Sequence, residues 1–314
     1  MVDENTKLIV KSVNISKQKG TIKEPVESIE LTEKGIVNDA HAGKWHRQIS
    51  LLGQESVDKF SVMAGREIAS GEFAENITTT GAVLYEMKPL DVLANDDVVL
   101  EVTQIGKKCH GDSCAIYREV GNCVMPKEGI FTRVLKTGSI KPGDELVYTP
   151  KVYKCYVITL SDRASSGEYE DRSGPRIKEL ICEHFKKTGN RFEIISDIIP
   201  DSEAELKQKV DDATANGADF IFTTGGTGVG ERDITPDVIQ SMLDKEIPGI
   251  MELIRYKYGS QKPNALLSRG VAGIINKTQI YTLPGSVKAV NEYMEEILKT
   301  LDHLVLMLYG IDAH

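Results

Sequence analysis

The chain has 314 residues, enough for two domains of roughly 150 residues that each bury a core. Its 40% hydrophobic and 27% charged residues suit a globular protein in water. The net charge of -9 excludes a broad nucleic-acid footprint while leaving room for a local phosphate pocket. The start MVDENTKLIV lacks a signal-peptide pattern, no apolar run is long enough to span a membrane, and five cysteines are an odd count. Together these predict reduced thiols in the cytoplasm.

Residues 1–149 read as short β runs, among them Leu8 to Ile15, Ser28 to Leu31 and Val98 to Ile105. Turn signals at Lys19-Gly20, Asn95-Asp96, Thr137-Gly138 and Pro142-Gly143 separate them, and one helix is predicted near Gln54 to Ala64. This pattern predicts a mostly β domain of barrel type, closed by the stretch from Gly138 to Tyr148. Thr149-Pro150-Lys151 reads as a short linker, so a second domain is expected over 150–314.

From Val152 onward strands and helices alternate. Tyr156 to Leu160, Phe192 to Ile199, Ala218 to Thr223 and Gln279 to Leu283 are the predicted strands. Ser173 is a candidate cap for a helix carrying Ile177, Leu180, Ile181 and Phe185 at helical spacing. Ser202 with Glu205 forms a capping-box pattern ahead of Leu206, Val210 and Ala213. Thr235 is a candidate cap, with Pro236 at the first helical position, and a long final helix is expected over Val287 to Leu306. Such alternation predicts an α/β domain with a mainly parallel sheet.

Ligands of open parallel sheets bind beyond the carboxyl ends of the strands. There the sequence places Ser161-Asp162-Arg163, Pro200-Asp201, the glycine-rich run Gly225-Gly226-Thr227-Gly228-Val229-Gly230 and Pro284-Gly285-Ser286. Glycines let backbone N–H groups approach an anion, and the N-terminus of the helix that follows favours negative charge. Arg232 can neutralise further phosphate charge, and Asp233 and Asp237 make sense beside phosphate if Mg²⁺ joins them to it. The plain alternative is a tight turn and a capping carboxylate. The shared edge with Asp162, Arg163, Asp201 and Ser286 favours function.

Ser161 to Gly167, Thr223 to Gly228, Arg232 to Asp237, Leu266-Leu267-Ser268-Arg269 and Leu283-Pro284-Gly285 resemble, in order, motifs of the molybdopterin-binding MogA/MoaB family. The resemblance covers about residues 152–312. It implies a three-layer α/β sandwich, a homo-oligomer of trimer type, and Mg²⁺-dependent transfer of AMP from ATP to the phosphate of molybdopterin. Asp201 and Asp233 match its catalytic acidic positions, with Asp233 reaching Mg²⁺ through the substrate phosphates. Gly225, Gly226, Thr227, Gly228, Ser268, Pro284, Gly285 and Ser286 match its ligand-binding segments. Val287 departs from the pattern, where many relatives have proline.

In the first half, Cys109, His110, Cys114 and Cys123 stand among Lys107, Lys108 and Arg133. A zinc site, plain core thiols and a reactive thiol with a lowered pKa are the three readings. The gaps of four and eight residues argue against zinc. His41 to Ser50, Phe73 to Thr79, Cys109 to Cys114 and Gly129 to Leu135 resemble the MOSC family, over about residues 5–148. That resemblance implies a β barrel in which a cysteine carries sulfur or contacts cofactor. Cys114 fits this role best, with Cys109 and Cys123 unresolved. His41 and Arg47 are candidate anion ligands, or else a turn histidine and a surface arginine. A pterin carrier without turnover, and a sulfurtransferase centred on the first half, are the alternative functions.

Overall fold

The structure is a computed structural model, and it describes residues 2–108 and 124–311. The expectations placed on Cys109, Cys114 and Cys123 therefore lie outside the described residues. The chain divides into two compact units, Met1–Lys151 and Val152–His314.

The first unit is a β barrel. Strands Glu145–Thr149, Val92–Ala94, Val99–Ile105, Ile130–Lys136, Ile49–Gly53, Ile77–Thr80 and Lys7–Ile15 pair in that order. Lys7–Ile15 then pairs with Glu145–Thr149 and closes the ring. Only the pairing of Ile49–Gly53 with Ile77–Thr80 is parallel among the ring contacts. Closure leaves no free edge in the ring, and the inward residues of each strand fill it. Leu8, Val10, Ile49, Leu51, Ile77, Leu93, Leu100, Val102, Ile130 and Leu146 are among those in this core. The helix Gln54–Ala64 lies over a second cluster, where Phe60 meets Phe73 edge to face at 5.0 Å. Gly138–Ile140, predicted as part of the closing strand, pairs instead with Ile29–Thr32 in a separate three-stranded sheet.

The second unit is built on a six-stranded sheet, ordered Arg191–Ile199, Val152–Leu160, Phe220–Thr224, Thr278–Leu283, Ala272–Ile275, Lys245–Glu246. The first four strands are parallel, and the last two are antiparallel additions. One face packs Ile158, Leu160, Ile221 and Ile280 against Leu206 and Val210 of helix Glu203–Ala215 and Val238 and Ile239 of helix Thr235–Met242. The opposite parity, Tyr153, Phe220, Phe222 and Tyr281, stacks as a run of rings that includes Phe185 of helix Ser173–Thr188. Alternation along each strand thus supplies two apolar faces.

Three local expectations are corrected. Thr235 is not a cap: its hydroxyl donates to the Gly225 carbonyl at 2.9 Å, and Ile234 takes the cap position. Ser173 is not the cap of its helix either. Asp171 Oδ1 accepts the Ser173 and Gly174 amides at 2.9 and 3.1 Å, because a carboxylate takes both orphan donors better than one hydroxyl. The final helix is broken into Val287–Ile297 and Leu301–Leu308. At the break the Thr300 hydroxyl donates to the Ile297 carbonyl at 3.2 Å, a local bond that competes with the helical ladder. The Ser202 cap is as expected, its hydroxyl accepting the Glu205 amide.

Candidate active site at the glycine-rich sheet edge

The four parallel strands end in register. Leu160 is paired with Ile199, Thr159 with Thr224, and Thr224 with Leu283. The segments that follow therefore emerge side by side, which brings Asp162, Asp201, Gly225 and Pro284 to one edge although 122 residues separate the first from the last.

Gly225 and Gly226 adopt φ of +100° and +60°, where a side chain is strained, and a Cβ on Gly225 would collide with the Leu160 carbonyl. The loop is pinned at its start by the Gly225 amide on the Leu283 carbonyl, 3.0 Å, and by Thr235 N on the Gly226 carbonyl, 3.1 Å. Thr224 Oγ1 donates to the Pro284 carbonyl at 3.0 Å, tying the two loops together. A Cβ on Gly228 would sit 2.6 Å from Asp233 Oδ2, so the Asp233 carboxylate lies directly over the loop backbone. That oxygen also accepts the Gly230 amide at 2.8 Å.

Asp162 and Asp201 clasp each other reciprocally. The Asp201 amide donates to Asp162 Oδ1 at 3.0 Å, and the Asp162 amide to Asp201 Oδ2 at 3.3 Å. Arg232 pairs with Asp162, both side chains remaining about half exposed or more. Burial pushes the Asp201 carboxyl above its ordinary value. The Asp162 amide and Arg232 oppose the rise, and the charges of Asp162 and Asp233 add to it. Around Asp201 the edge thus sets the carboxylates of Asp162 and Asp233 and the guanidinium of Arg232, an excess of negative charge that a cation would relieve. Ser161 caps the short turn Asp162–Ser165 by accepting the Ala164 amide, and Arg163 lies over the Tyr169 ring at 5.4 Å. Ser286 caps helix Val287–Ile297, and Ser268 accepts the Tyr293 hydroxyl at 2.8 Å. Asp237 is placed differently from the others: both its oxygens accept from Arg269 Nη1, at 2.8 and 2.9 Å. Arg269 and Asp171 are functional neighbours that the sequence does not single out. The quoted Leu-Leu-Ser-Arg motif contained the first, and the Asp-x-Ser-Gly spacing was the available signal for the second.

In the barrel unit His41 stands beside a buried ionic cluster that the residue pattern did not announce. Lys23 Nζ donates to Asp39 Oδ2 at 2.5 Å, with side chains 0% and 1% exposed. His41 donates its amide to Asp39 Oδ1 at 2.9 Å, and its Nδ1 lies 3.4 Å from Lys23 Nζ. Asn76 Nδ2 and the Ser16 amide complete the shell of Asp39, each at 3.1 Å. Burial pushes the Asp39 carboxyl up, but bonds from His41 and Lys23 outweigh it and hold it well below the usual carboxylate range. Burial pushes Lys23 down and Glu75 up. Glu75 accepts Gly71 N at 2.5 Å and Thr78 Oγ1 at 3.0 Å through one oxygen. Arg47 lies over the Trp45 ring at 4.9 Å. Asp39, two residues before His41, was the legible member; nothing in the sequence around Lys23 marks it.

Among the described residues no group of three or more His, Cys, Asp or Glu is placed to hold a metal ion by itself, and no helix is long and apolar enough to cross a membrane.

Residues 156–303 match the family described as "Probable molybdopterin binding domain", and residues 38–147 match the MOSC domain family. A molybdopterin adenylyltransferase of Helicobacter pylori is 38% identical over 156 residues, covering 49% of this chain and 86% of that protein. One from Pyrococcus furiosus is 38% identical over 161 residues, covering 50% and 91%. A molybdenum cofactor biosynthesis bifunctional protein of Chlorobaculum tepidum is 27% identical over 280 residues, covering 85% of this chain and 87% of that one, so this likeness runs through both units. The chain belongs to the molybdopterin adenylyltransferase family, and it carries a MOSC domain ahead of the half that defines that membership.

Proposed function

We infer that the second unit transfers AMP from ATP to the phosphate of molybdopterin, releasing pyrophosphate, as a step of molybdenum cofactor biosynthesis. A phosphate oxygen of molybdopterin attacks the α-phosphorus of ATP, the bond to the β-phosphate breaks, and pyrophosphate carries away the electron pair. The observation that carries this reading is the convergence of Asp162, Asp201 and Asp233 with the Gly225–Gly228 backbone at one sheet edge. Amides of Gly226, Thr227 and Gly228 suit the phosphates, and Arg232 and Arg163 suit the remaining charge. Asp201 and Asp233 are hard oxygen donors in a site with excess negative charge, and they would hold Mg²⁺ at this edge when the substrate phosphates are bound. Bound there, Mg²⁺ would neutralise charge that develops on the phosphates in the transition state. Ser161, Ser268, Pro284, Gly285 and Ser286 border the same edge and are assigned to substrate contact, and Asp237 to the support of the loop.

We assign domains to 1–149 and 150–314, with the second a three-layer sandwich whose sheet lies between helices, and we expect a homo-oligomer in the cytoplasm. The MOSC domain is proposed to bind the cofactor or carry sulfur on Cys114, with His41 and Arg47 receiving an anionic group. The test of the main reading is direct. The full chain, given molybdopterin and Mg²⁺-ATP, should release one pyrophosphate per adenylylated molybdopterin. Tight pterin binding with no pyrophosphate would overturn it.

A further inference from the structure

Arg269 is the most connected side chain at the glycine-rich edge. Its Nε donates to the Gly228 carbonyl at 2.7 Å, and its Nη2 to the Asp233 carbonyl at 2.5 Å. Its Nη1 donates to both oxygens of Asp237, and its own amide to the Thr227 carbonyl at 3.0 Å. One residue therefore holds four positions spread from the glycine-rich run to the first turn of helix Thr235–Met242. A guanidinium has five N–H donors in a rigid fork, and here every one of its nitrogens is engaged by the chain itself. Arg232 is the contrast: its side chain is 67% exposed and its partner is a single carboxylate.

Apart from Arg269, the segment is held near its ends, by Gly225 N on the Leu283 carbonyl and Thr235 N on the Gly226 carbonyl, and at its tip by the exposed Arg232–Asp162 pair. Residues 225–234 are neither helix nor strand, and Val229 is 74% exposed. Within it, Asp233 and Gly230 close a turn through Asp233 N on the Gly230 carbonyl and Gly230 N on Asp233 Oδ2. That turn sets the shape of the loop tip but does not anchor it to the domain. Arg269, which leads into strand Ala272–Ile275, grips the backbone carbonyls at both ends of the tip, Gly228 and Asp233. Asp237 balances its charge and orients the fork.

We propose that Arg269 is a positioning residue for adenylyl transfer: it clamps residues 227–237 so that the Asp233 carboxylate stays over the glycine-rich backbone, in reach of the phosphates that Asp201 also serves. The proposal rests on the functional reading above. It assigns Arg269 no contact with substrate, because its nitrogens are committed to the loop.

The test uses the full chain with Arg269→Ala, Arg269→Lys and Asp237→Asn. Hydrogen exchange without any ligand reports the clamp alone. Amides of residues 227–233 should exchange roughly tenfold faster or more in Arg269→Ala, and less so in Asp237→Asn. In turnover, kcat should fall on the order of 10- to 100-fold, while KM for molybdopterin moves by less than about threefold. Arg269→Lys should recover little, since a single ammonium cannot span the carbonyls of Gly228 and Asp233 and the Asp237 carboxylate. Adding Arg269→Ala to Asp233→Asn should cost nothing further, because both remove the same contribution. Unchanged exchange, multiplicative losses in the double variant, or full activity of Arg269→Lys would each overturn the clamp. If Arg269→Ala does not fold, Asp237→Asn carries the same tests at smaller amplitude. A wild-type chain that makes no adenylylated product, yet shows the faster exchange in Arg269→Ala, would overturn the functional reading and leave the clamp standing.

Discussion

Two carboxylate clusters in this chain are built from the same side-chain chemistry and placed in opposite surroundings. In the barrel unit, Asp39 and Lys23 pair with side chains 1% and 0% exposed. At the sheet edge of the second unit, Asp162 and Arg232 pair at 47% and 67%. Burial makes the first pair obligatory: once the ammonium is out of water, removing either partner strands a charge. Exposure makes the second pair exchangeable, since solvent screens it and a ligand can compete for either member. One cluster therefore holds a loop that carries His41, and the other remains open to solvent.

The largest effect expected from this contrast is on stability. Lys23→Met leaves the Asp39 carboxylate buried without its cation and should cost about 3–5 kcal/mol in urea unfolding of the barrel unit. Arg232→Ala should cost no more than about 1 kcal/mol. Equal costs would break the comparison.

Next in size is catalysis. Asp233→Asn and Asp201→Asn should each lower AMP transfer by roughly 10²-fold, about 2.7 kcal/mol of transition-state stabilisation, with the fold intact by circular dichroism. Near-normal turnover by either variant removes that residue from the site. A fragment beginning at Lys151 should fold and retain the activity, since the second unit has its own cores on both sheet faces. An insoluble or inert fragment would show that the units depend on each other.

Acid separates the clusters further. Asp201 lies above its ordinary value of 3.8, so activity that needs its carboxylate should be lost on acidification while Asp39 is still ionised. Asp39 is depressed. Its stabilising contribution is complete above the unfolded-state value of 3.8 and is lost only as the pH falls below that toward its folded value. Glu75 has the opposite sign: its raised folded value favours the acid form, so its contribution is lost as the pH rises, and Glu75→Gln should flatten that limb. Asp162→Asn keeps the amide that donates to Asp201 and removes a negative charge, so the acid limb of kcat/KM should move down. Arg232→Ala should move it up. Movement in the reverse sense would refute the assigned electrostatics.

The smallest expected effect is a ranking of thiols. Cys155 is 0% exposed in strand Val152–Leu160 and should label slowest with an alkylating reagent under native conditions. Cys182 is half-buried and should follow, and Cys114 should lead if it serves the MOSC domain as proposed. Mass spectrometry after a brief exposure gives the order, and a Cys114 no faster than Cys182 returns it to the role of an ordinary thiol.

Much of this architecture was legible in the chain. The helix Gln54–Ala64 and the strands Val99–Ile105 and Arg191–Ile199 fall within a residue of their expected limits, because each carries a strong period or a sharp turn signal. Four parallel strands and the loops that follow them were readable from alternation alone, and these loops are the candidate site. The strands Ile49–Gly53, Ile77–Thr80 and Ile130–Lys136 were not read as strands. Ile49–Gly53 is buried at every position, so it shows no alternation of apolar and polar residues.

What the sequence determined by itself is local: glycines where the backbone must turn through positive φ, carboxylates in the segments after three of the four parallel strands, and apolar faces at the spacing of helix and sheet. What only the tertiary structure decided is which distant groups meet. Lys23 reaches Asp39 across 16 positions, Asp162 reaches Arg232 across 70, and Arg269 reaches back 41 positions to Gly228. A charged side chain looks the same in a sequence whether it ends in water or against a buried partner. Strand register and barrel closure settle which, because they fix what surrounds it and so the cost of leaving it unpaired.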